Sequence, residues 1–264
     1  MHRYALSALL FVVAFQAHAA VDYVPLQEKS QGQSLTGGNV LNDSLFSNPA
    51  GSTFTQVYSL DASMQGLNNF AVSVLDTKTE GVGGGLAYFR RGIEGARTQG
   101  GRVNLATRVS DMLGAGASGK YVVGPDSKGQ EAKLTDVDLG LLANFSYFVM
   151  GLTLRNALGG NDAMELKREL ALGARFNYKN QLFFSATAIG TKGIDPNQVG
   201  FGMEFVSPYY FALKGGYYFQ PRTPFQSWTA GASFISPKLS LHYAVEFKNL
   251  LRGMEHQIGL TLLM

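Results

Sequence analysis

The chain has no cysteine among its 264 residues. This absence excludes a disulfide framework and a thiolate metal site. Charged residues are also scarce, at 16% of the chain, whereas soluble domains carry about 25%. No segment concentrates lysine or arginine, and the formal net charge is +3, so the sequence does not indicate a nucleic-acid-binding surface.

Long apolar runs are equally scarce, which argues against a helical membrane protein, because each spanning helix needs about 20 apolar residues. One apolar run, Tyr4–Phe15, lies near the N-terminus and follows His2 and Arg3. The small residues of Ala17-His18-Ala19 complete the pattern of a cleaved secretory signal. We therefore expect a signal peptide over residues 1–19 and export from the cytoplasm.

What the chain does have is a two-residue alternation of apolar and polar side chains, from Thr53 to its end. In the last segment Ile258, Leu260 and Leu262 alternate with polar or small residues. Successive side chains of a strand point to opposite faces, so each such segment has one apolar and one polar side. The segments have about 9–11 residues, the length that a tilted strand needs to cross a bilayer.

These segments predict an all-β fold, a transmembrane antiparallel β-barrel of about 14 strands over residues 53–264 in the bacterial outer membrane. The expected strands cover residues 55–64, 68–76, 82–90, 99–109, 112–123, 134–144, 147–156, 168–178, 181–190, 197–206, 209–219, 227–235, 239–248 and 255–264. Short connections alternate with longer ones, and aromatic residues gather near the segment ends, as in membrane barrels. The barrel must close, because lipid leaves an open sheet edge unpaired.

A barrel of about 14 strands encloses more space than its own side chains fill. The polar segment before the first strand, residues 20–52, shows no sustained period of either kind. We expect this segment to fill part of the lumen as a small plug.

The polar sides of the expected strands carry charges of both signs, which we place in the lumen. They are Asp61, Arg102, Arg108, Asp136, Asp138, Arg175, Glu204, Lys214, His242, Glu246 and Lys248. A salt-bridged interior and an ion-selective channel lining are both consistent with this set. His242 and Glu246 share one strand face, but a catalytic or metal site would need a third partner. We expect no enzyme activity, no metal and no cofactor.

The residues before the first strand, 38–51, read Gly-Asn-Val-Leu-Asn-Asp-Ser-Leu-Phe-Ser-Asn-Pro-Ala-Gly. They resemble the plug region of the FadL family of outer-membrane hydrophobic-compound transporters, in which a Gly and an acidic residue precede Asn-Pro-Ala. The matching positions are Gly38, Asp43, Asn48, Pro49 and Ala50. The alternative is an ordinary loop that enters the first strand, since Asn, Pro and Gly all favour turns.

The resemblance implies that a hydrophobic, fatty-acid-like compound passes the plug and leaves through a wall opening at a kinked strand. Glycine weakens strand pairing and marks bulges. We place the kink at the glycine-dense start of the third strand, Gly81, Gly83, Gly84 and Gly85. Close packing of the plug against small residues would explain these glycines equally well. The short outer loops argue against capture of long-chain fatty acids.

The sequence thus favours a passive outer-membrane transporter for a small hydrophobic compound. A scaffold barrel that binds protein partners and a narrow diffusion porin are the alternatives. The expected partners are outer-membrane lipid, a hydrophobic small molecule and, during biogenesis, the barrel-assembly machinery. Nucleic acid is not expected as a partner.

Overall fold

The computed structural model describes residues 23–38, 41–66, 68–79, 81–93, 96–126, 128–164, 166–191, 196–249 and 253–264. The expected signal peptide, residues 1–19, lies outside the described residues. So do residues 20–22, 39 and 40 of the expected plug.

Fourteen antiparallel strands form one closed barrel, in which each strand pairs with its sequence neighbours and the first strand pairs with the last. They are β1 (Tyr58–Gln65), β2 (Asn69–Asp76), β3 (Val82–Ile93), β4 (Ala96–Arg108), β5 (Leu113–Pro125), β6 (Glu131–Phe145), β7 (Phe148–Asn161), β8 (Leu166–Tyr178), β9 (Leu182–Gly190), β10 (Gln198–Val206), β11 (Phe211–Phe219), β12 (Gln226–Ile235), β13 (Leu239–Lys248) and β14 (Gly253–Leu263). The predicted all-β barrel is confirmed, with one strand for each predicted segment.

Short helical turns precede the barrel. They are the α-helix α1 (Leu26–Ser30) and the 3-10 helices η1 (Leu35–Gly37), η2 (Asn42–Leu45) and η3 (Pro49–Ser52). A fourth 3-10 helix, η4 (Asp162–Met164), connects β7 to β8. Of the helices that the structure describes, none combines the length and apolar character that a membrane crossing requires.

The outer surface of the barrel is apolar. In β14, Ile258, Leu260 and Leu262 are exposed, whereas Gln257 and Thr261, which alternate with them, are buried. The same alternation exposes Leu86, Val103, Leu105, Leu141, Leu172, Leu213, Trp228 and Leu241 on other strands. An apolar band around the outside and a polar inside is the arrangement of membrane barrels.

Strands β4 to β8 are longer than predicted, with 13 to 15 residues each. The extra residues lie at the outer end, so the connections there are shorter than expected. The largest difference is in β7, which continues to Asn161 through a stretch predicted as outer loop, residues 157–167. The apolar–polar alternation of this stretch is interrupted where β7 bulges, and for this reason its sequence resembles a loop.

The glycine-dense stretch of β3 does not kink the wall. Pairing with β2 runs without a shift from Phe70–Arg90 to Asp76–Gly84, and pairing with β4 is also continuous. Gly81 (φ +90°) lies in the turn before β3, next to Gly83 and Gly84. A Cβ atom at Gly85 would lie 2.6 Å from Cδ2 of Leu45. Close packing against the N-terminal segment, the alternative interpretation, therefore accounts for Gly85.

The register shift lies instead in β7. Arg155 pairs with Glu169 of β8, and the next pair joins Gly160 to Lys167. β7 thus takes five steps where β8 takes two, so three extra residues form a bulge. Extra residues in one strand bend it and interrupt the ladder.

Candidate functional site

The described residues 23–38 and 41–52 lie against the inner face of the barrel. They contact strands on opposite sides of the closed wall, and most of them are buried. Wall glycines allow the closest approaches: a Cβ atom at Gly151, Gly173 or Gly216 would overlap the backbone of this segment. A chain that touches opposite walls of a closed barrel and is shielded from solvent occupies its lumen. Its action as a plug stays a prediction.

Asn48 connects this segment to the wall. Its Oδ1 accepts a hydrogen bond from the amide of Ala50 at 3.0 Å, which caps η3. Its Nδ2 donates to the carbonyl oxygens of Thr36 (2.9 Å) and of Leu141 in β6 (3.1 Å). The buried Asn-Pro-Ala motif therefore does more than turn the chain into β1, because it also holds η1 and η3 against the wall.

Asp43 and Gly38 shape the interior of the same segment. Oδ2 of Asp43 accepts a hydrogen bond from the amide of Glu28 at 3.1 Å, so η2 is joined to α1. Burial raises the pKa of Asp43 to about 7, and the negative charges of Asp61 and Glu28 add to the increase. The amide of Gly38 donates to the carbonyl oxygen of Leu35 at 2.7 Å and ends η1.

Most of the predicted lumen charges form buried ion pairs. Arg102 and Lys120 contact Asp138 at 2.8 and 2.9 Å, and Arg175 and Lys214 contact Glu204 at 2.6 and 3.5 Å. Lys29 of α1 contacts Glu246 of β13 at 3.0 Å and Glu255 of β14 at 2.8 Å. Lys248 also pairs with Glu255. The structure thus agrees with a salt-bridged interior.

Arg108 is an exception. It lies at the end of β4, where its side chain is 52% exposed and contacts Asp111 and the ring of Phe54. The predicted position in the lumen is therefore wrong for Arg108, because the strand ends before the barrel encloses this side chain.

His242 and Glu246 each have separate partners. The ring of His242 lies between Ser233 (Nδ1 to Oγ 2.9 Å) and Thr261 (Nε2 to Oγ1 3.2 Å). Thr261 in turn donates to Asp61 at 2.6 Å. Glu246 accepts hydrogen bonds from the hydroxyl groups of Tyr218 and Ser227 and pairs with Lys29. No group of three acidic or histidine side chains in the described ranges is arranged to hold a metal ion.

An apolar cluster inside the lumen was missed by the sequence analysis. Its buried members are Tyr23, Leu45, Phe46, Ala71, Leu75, Ala87, Phe89, Val122, Leu134, Met164 and Leu166. The rings of Tyr23, Phe46 and Phe89 lie 5.0 to 6.2 Å apart. The signal was present in the sequence, since β2 and β3 carry apolar residues on both faces.

The cluster extends from the N-terminal segment to the outer end of the barrel. Leu45 and Phe46 come from η2 and the residue after it, whereas Met164 ends η4 and Leu166 begins β8. Met164 is 1% exposed and belongs to η4, in the outer connection between β7 and β8. An apolar compound would find a compatible environment here in an otherwise polar lumen.

A polar recess of about 360 Å³ opens elsewhere at the outer end. Its lining includes Glu169, Asn197, Gln198, Gln220 and Arg222. The side chain of Gln198 donates to that of Gln33 at 2.8 Å, so the N-terminal segment lies at this recess.

No known protein-family model matches the sequence, and no curated protein sequence matches it. The fold is similar to several solved structures. The toluene transporter TbuX of Ralstonia pickettii aligns with a TM-score of 0.64 at 15% identity, over 93% of this chain and 98% of that one. The toluene transporter TodX of Pseudomonas putida aligns with a TM-score of 0.63 at 11% identity, over 92% and 97%. A FadL homologue of Pseudomonas aeruginosa gives 0.56 at 12% identity, over 91% and 97%.

At these identities the likeness shows a shared fold. The predicted resemblance to the FadL family is confirmed at that level, because the neighbours include a FadL homologue and two toluene transporters.

Proposed function

We propose that the chain is a bacterial outer-membrane transporter that lets a small, uncharged hydrophobic compound cross passively. The apolar cluster in the lumen is the observation that carries this proposal. A purely structural barrel does not require an apolar cluster in its lumen. A porin is lined by polar groups. The compounds for which TbuX and TodX are named are of the proposed chemical class.

Entry would take place beside Met164. Its thioether side chain is flexible and adapts readily to new neighbours. A ligand that enters the cluster gains about 25 cal/mol for each Å² of apolar surface that it buries. No covalent chemistry is needed, so we propose that the protein is not an enzyme.

The charges around the cluster favour a neutral ligand over a fatty-acid anion. Asp43 lies in η2, two residues before the cluster residue Leu45, and a carboxylate ligand would be repelled by its charged form. Arg102 lies 5.4 Å from the centroid of the Phe46 ring, and it already pairs with Asp138.

The N-terminal segment would act as the plug that such a compound has to pass. Hydrogen bonds of Asn48 and the ion pairs of Lys29 hold the segment to the wall near its two ends. Between them, the amide of Gly32 donates to Thr229 at 3.0 Å and the hydroxyl of Ser34 hydrogen-bonds to that of Ser185 at 2.6 Å. We therefore expect passage to need a local shift of the segment rather than its expulsion.

Uptake of radiolabelled toluene by cells that express the barrel tests the proposal. Cells that express the wild-type barrel should take up toluene faster than cells with an empty vector. The two kinds of cell should take up a labelled sugar at the same rate. Phe89→Asp places a charge in the cluster and should abolish the gain, whereas Phe89→Leu keeps an apolar side chain and should retain most of it. Heat-dependent electrophoretic mobility would show that both variants fold.

Sugar uptake equal to toluene uptake would support the porin instead. No uptake of either compound, together with a stoichiometric protein partner, would support the scaffold. Equal toluene uptake by both Phe89 variants would contradict the role of the cluster.

A further inference from the structure

The outward-facing side of β6 changes character near the outer end of the barrel. Going outward, its exposed face is apolar through Leu139 and Val137 and becomes polar at Thr135 and Lys133. A tilted strand crosses the hydrocarbon layer with about 9–11 residues. Counted from Phe145 at the inner end, this length ends near residues 135–137, where the change occurs. Lys133 therefore lies beyond the hydrocarbon layer, at the level of the lipid headgroups.

Four basic side chains face outward at this end of neighbouring strands. They are Arg90 of β3, Arg97 of β4, Lys133 of β6 and Arg168 of β8. Each shares its strand face with outward-facing residues nearer the membrane, which are Tyr88, Val103, Thr135 and Leu170. We call the four basic residues the cation belt.

Cross-strand pairing brings two members of the cation belt onto one row. Arg90 pairs with Gln99 of β4, Gln99 pairs with Val123 of β5, and Val123 pairs with Lys133. Neighbouring strands lie about 4.8 Å apart, so three strand spacings separate Arg90 from Lys133 by about 14 Å. The row runs around the outside of the barrel, parallel to the membrane surface.

Arg168 extends the row on the other side of Lys133. Nδ2 of Asn161 in β7 donates to the carbonyl oxygen of Lys133 at 3.4 Å, and β7 pairs with β8 at this level. The guanidinium of Arg168 donates to the carbonyl oxygen of Ala157 at 2.9 Å, which holds it against the bulge of β7. Two strand spacings, about 10 Å, therefore separate the strands of Lys133 and Arg168.

The protein itself neutralises little of this charge. Nε of Arg90 has no hydrogen-bond acceptor within the described ranges. Nζ of Lys133 lies 3.9 Å from Glu131, but the two side chains are 63% and 70% exposed, so water screens the pair. Among the described strand residues that face outward at the outer ends of β3 to β8, Glu131 is the one carboxylate.

The rest of the wall differs. In its described residues, the outward face of β9 to β14 and of β1 and β2 carries no lysine or arginine. Its outer end instead carries aromatic rings, and those of Tyr217 and Trp228 lie 4.5 Å apart. The cation belt is therefore confined to one side of the barrel and does not continue around it.

We propose that the cation belt binds an outer-leaflet glycolipid that carries two phosphate groups. Arginine and lysine form charge-assisted hydrogen bonds to phosphate oxygens. The acyl chains of this lipid would lie on the apolar face below the belt, with Tyr88 and Tyr121 at the boundary, where membrane barrels place aromatic residues. The separation of Arg90 from Lys133 suits two phosphates at opposite ends of a disaccharide. This inference concerns the outside of the wall and goes beyond the proposed transport.

Titration of the purified full chain with diphosphoryl lipid A in neutral detergent, followed by native mass spectrometry, tests the belt. The test variant combines Arg90→Gln, Lys133→Gln and Arg168→Gln. It should bind lipid A at least about tenfold more weakly than the wild type, because each basic residue near a charged lipid surface adds to the attraction. Heat-dependent electrophoretic mobility would show that the variant folds.

A matched control removes the same charge elsewhere. It combines Lys78→Gln, Lys179→Gln and Lys238→Gln, which lie in exposed connections at the inner end. This control should bind lipid A as the wild type does. Equal affinities of the test and control variants would overturn the cation belt as the binding site.

A gain of binding provides a second test. Glu131→Gln removes the carboxylate beside Lys133 and should tighten the binding of diphosphoryl lipid A severalfold. An unchanged or weaker affinity would contradict a phosphate at Lys133.

Two further lipids test the identity of the occupant. Monophosphoryl lipid A should bind the wild type more weakly than the diphosphoryl form, because one phosphate cannot reach both Arg90 and Lys133. Phosphatidylglycerol that binds as tightly as diphosphoryl lipid A would overturn the glycolipid as the ligand. These measurements do not depend on toluene uptake, so failure of the belt would leave the proposed transport untouched.

Discussion

The amide of Asn156 donates to Oδ1 of Asp138 at 2.8 Å, and this bond joins a residue with a left-handed backbone (φ 54°) to a buried carboxylate of the neighbouring strand. Asp138 holds Arg102 and Lys120 with the same carboxyl group. One side chain therefore fixes the shape of the bulge and balances two buried cations.

Asp138→Asn should destabilise the barrel by about 3–5 kcal/mol, because removal of one partner leaves buried charges uncompensated. The guanidinium chloride midpoint of the folded barrel in detergent would measure this loss. Asp138→Glu keeps the charge and should lose less. An unchanged midpoint for Asp138→Asn would mean that water or Asp136 compensates the cations.

Alanine at Gly173 should cost about 1–3 kcal/mol, the usual penalty for overpacking a filled interior. A Cβ atom there would overlap the backbone of Gly37, which has no flexible side chain that could yield. Gly119→Ala is the matched control, since nothing lies within 4 Å of a Cβ atom at that position. The difference between the two unfolding midpoints is the measurement. Equal midpoints would place the N-terminal segment farther from the wall than the structure does.

Asn48→Ala should loosen the N-terminal segment. It leaves the amide of Ala50 and the carbonyl oxygens of Thr36 and Leu141 without their partner, at about 1–3 kcal/mol for each buried group left unsatisfied. Trypsin cleavage after Lys29 in the folded barrel should become faster. Asn177→Ala, near the end of β8 and far from the N-terminal segment, serves as the control. Cleavage rates that do not differ would show that the other wall contacts of the segment, among them the ion pairs of Lys29 and the hydrogen bond of Ser34 to Ser185, are sufficient to hold it.

The pKa of Asp43 predicts a pH dependence of stability. Its folded-state pKa of about 7 lies above the ordinary value of 3.8, so the folded barrel binds this proton more tightly than the unfolded chain does. The stabilisation is fully present below pH 3.8 and is lost as the pH rises to about 7. Unfolding midpoints between these limits should fall with pH in the wild type and fall less in Asp43→Asn. Parallel curves would assign the pH dependence to other groups.

The alternation of apolar and polar residues in β14 was sufficient to predict which of them face lipid and which face the lumen. Successive side chains of a strand point to opposite faces, so the alternation separates the two sets. The same reasoning failed where both faces are apolar. Leu75 and Phe89 point into the lumen beside outward-facing Val74 and Tyr88, and only the fold shows that the inward pair meets Phe46.

Long-range contacts account for the other differences. The stretch of β7 that includes Asn156, Gly159 and Gly160 has the composition of a loop. It belongs to the strand because carboxylates of β6 bind backbone amides of this stretch. Glycines at positions 81–85 have the composition of a kink, yet Gly85 is explained by the approach of Leu45. In both cases the partner is distant in sequence, so local composition could not identify the role.

The unequal strands have a consequence for the surrounding bilayer. β1 and β2 have eight residues each, fewer than the 9–11 or so that a level crossing needs, whereas β6 has 15. A barrel with one short and one tall wall meets the hydrocarbon layer unevenly. Tilting of the barrel axis or local thinning of the lipid beside β1 and β2 would relieve this mismatch. The protein therefore imposes an orientation on itself, with its tall side raised into the headgroup layer.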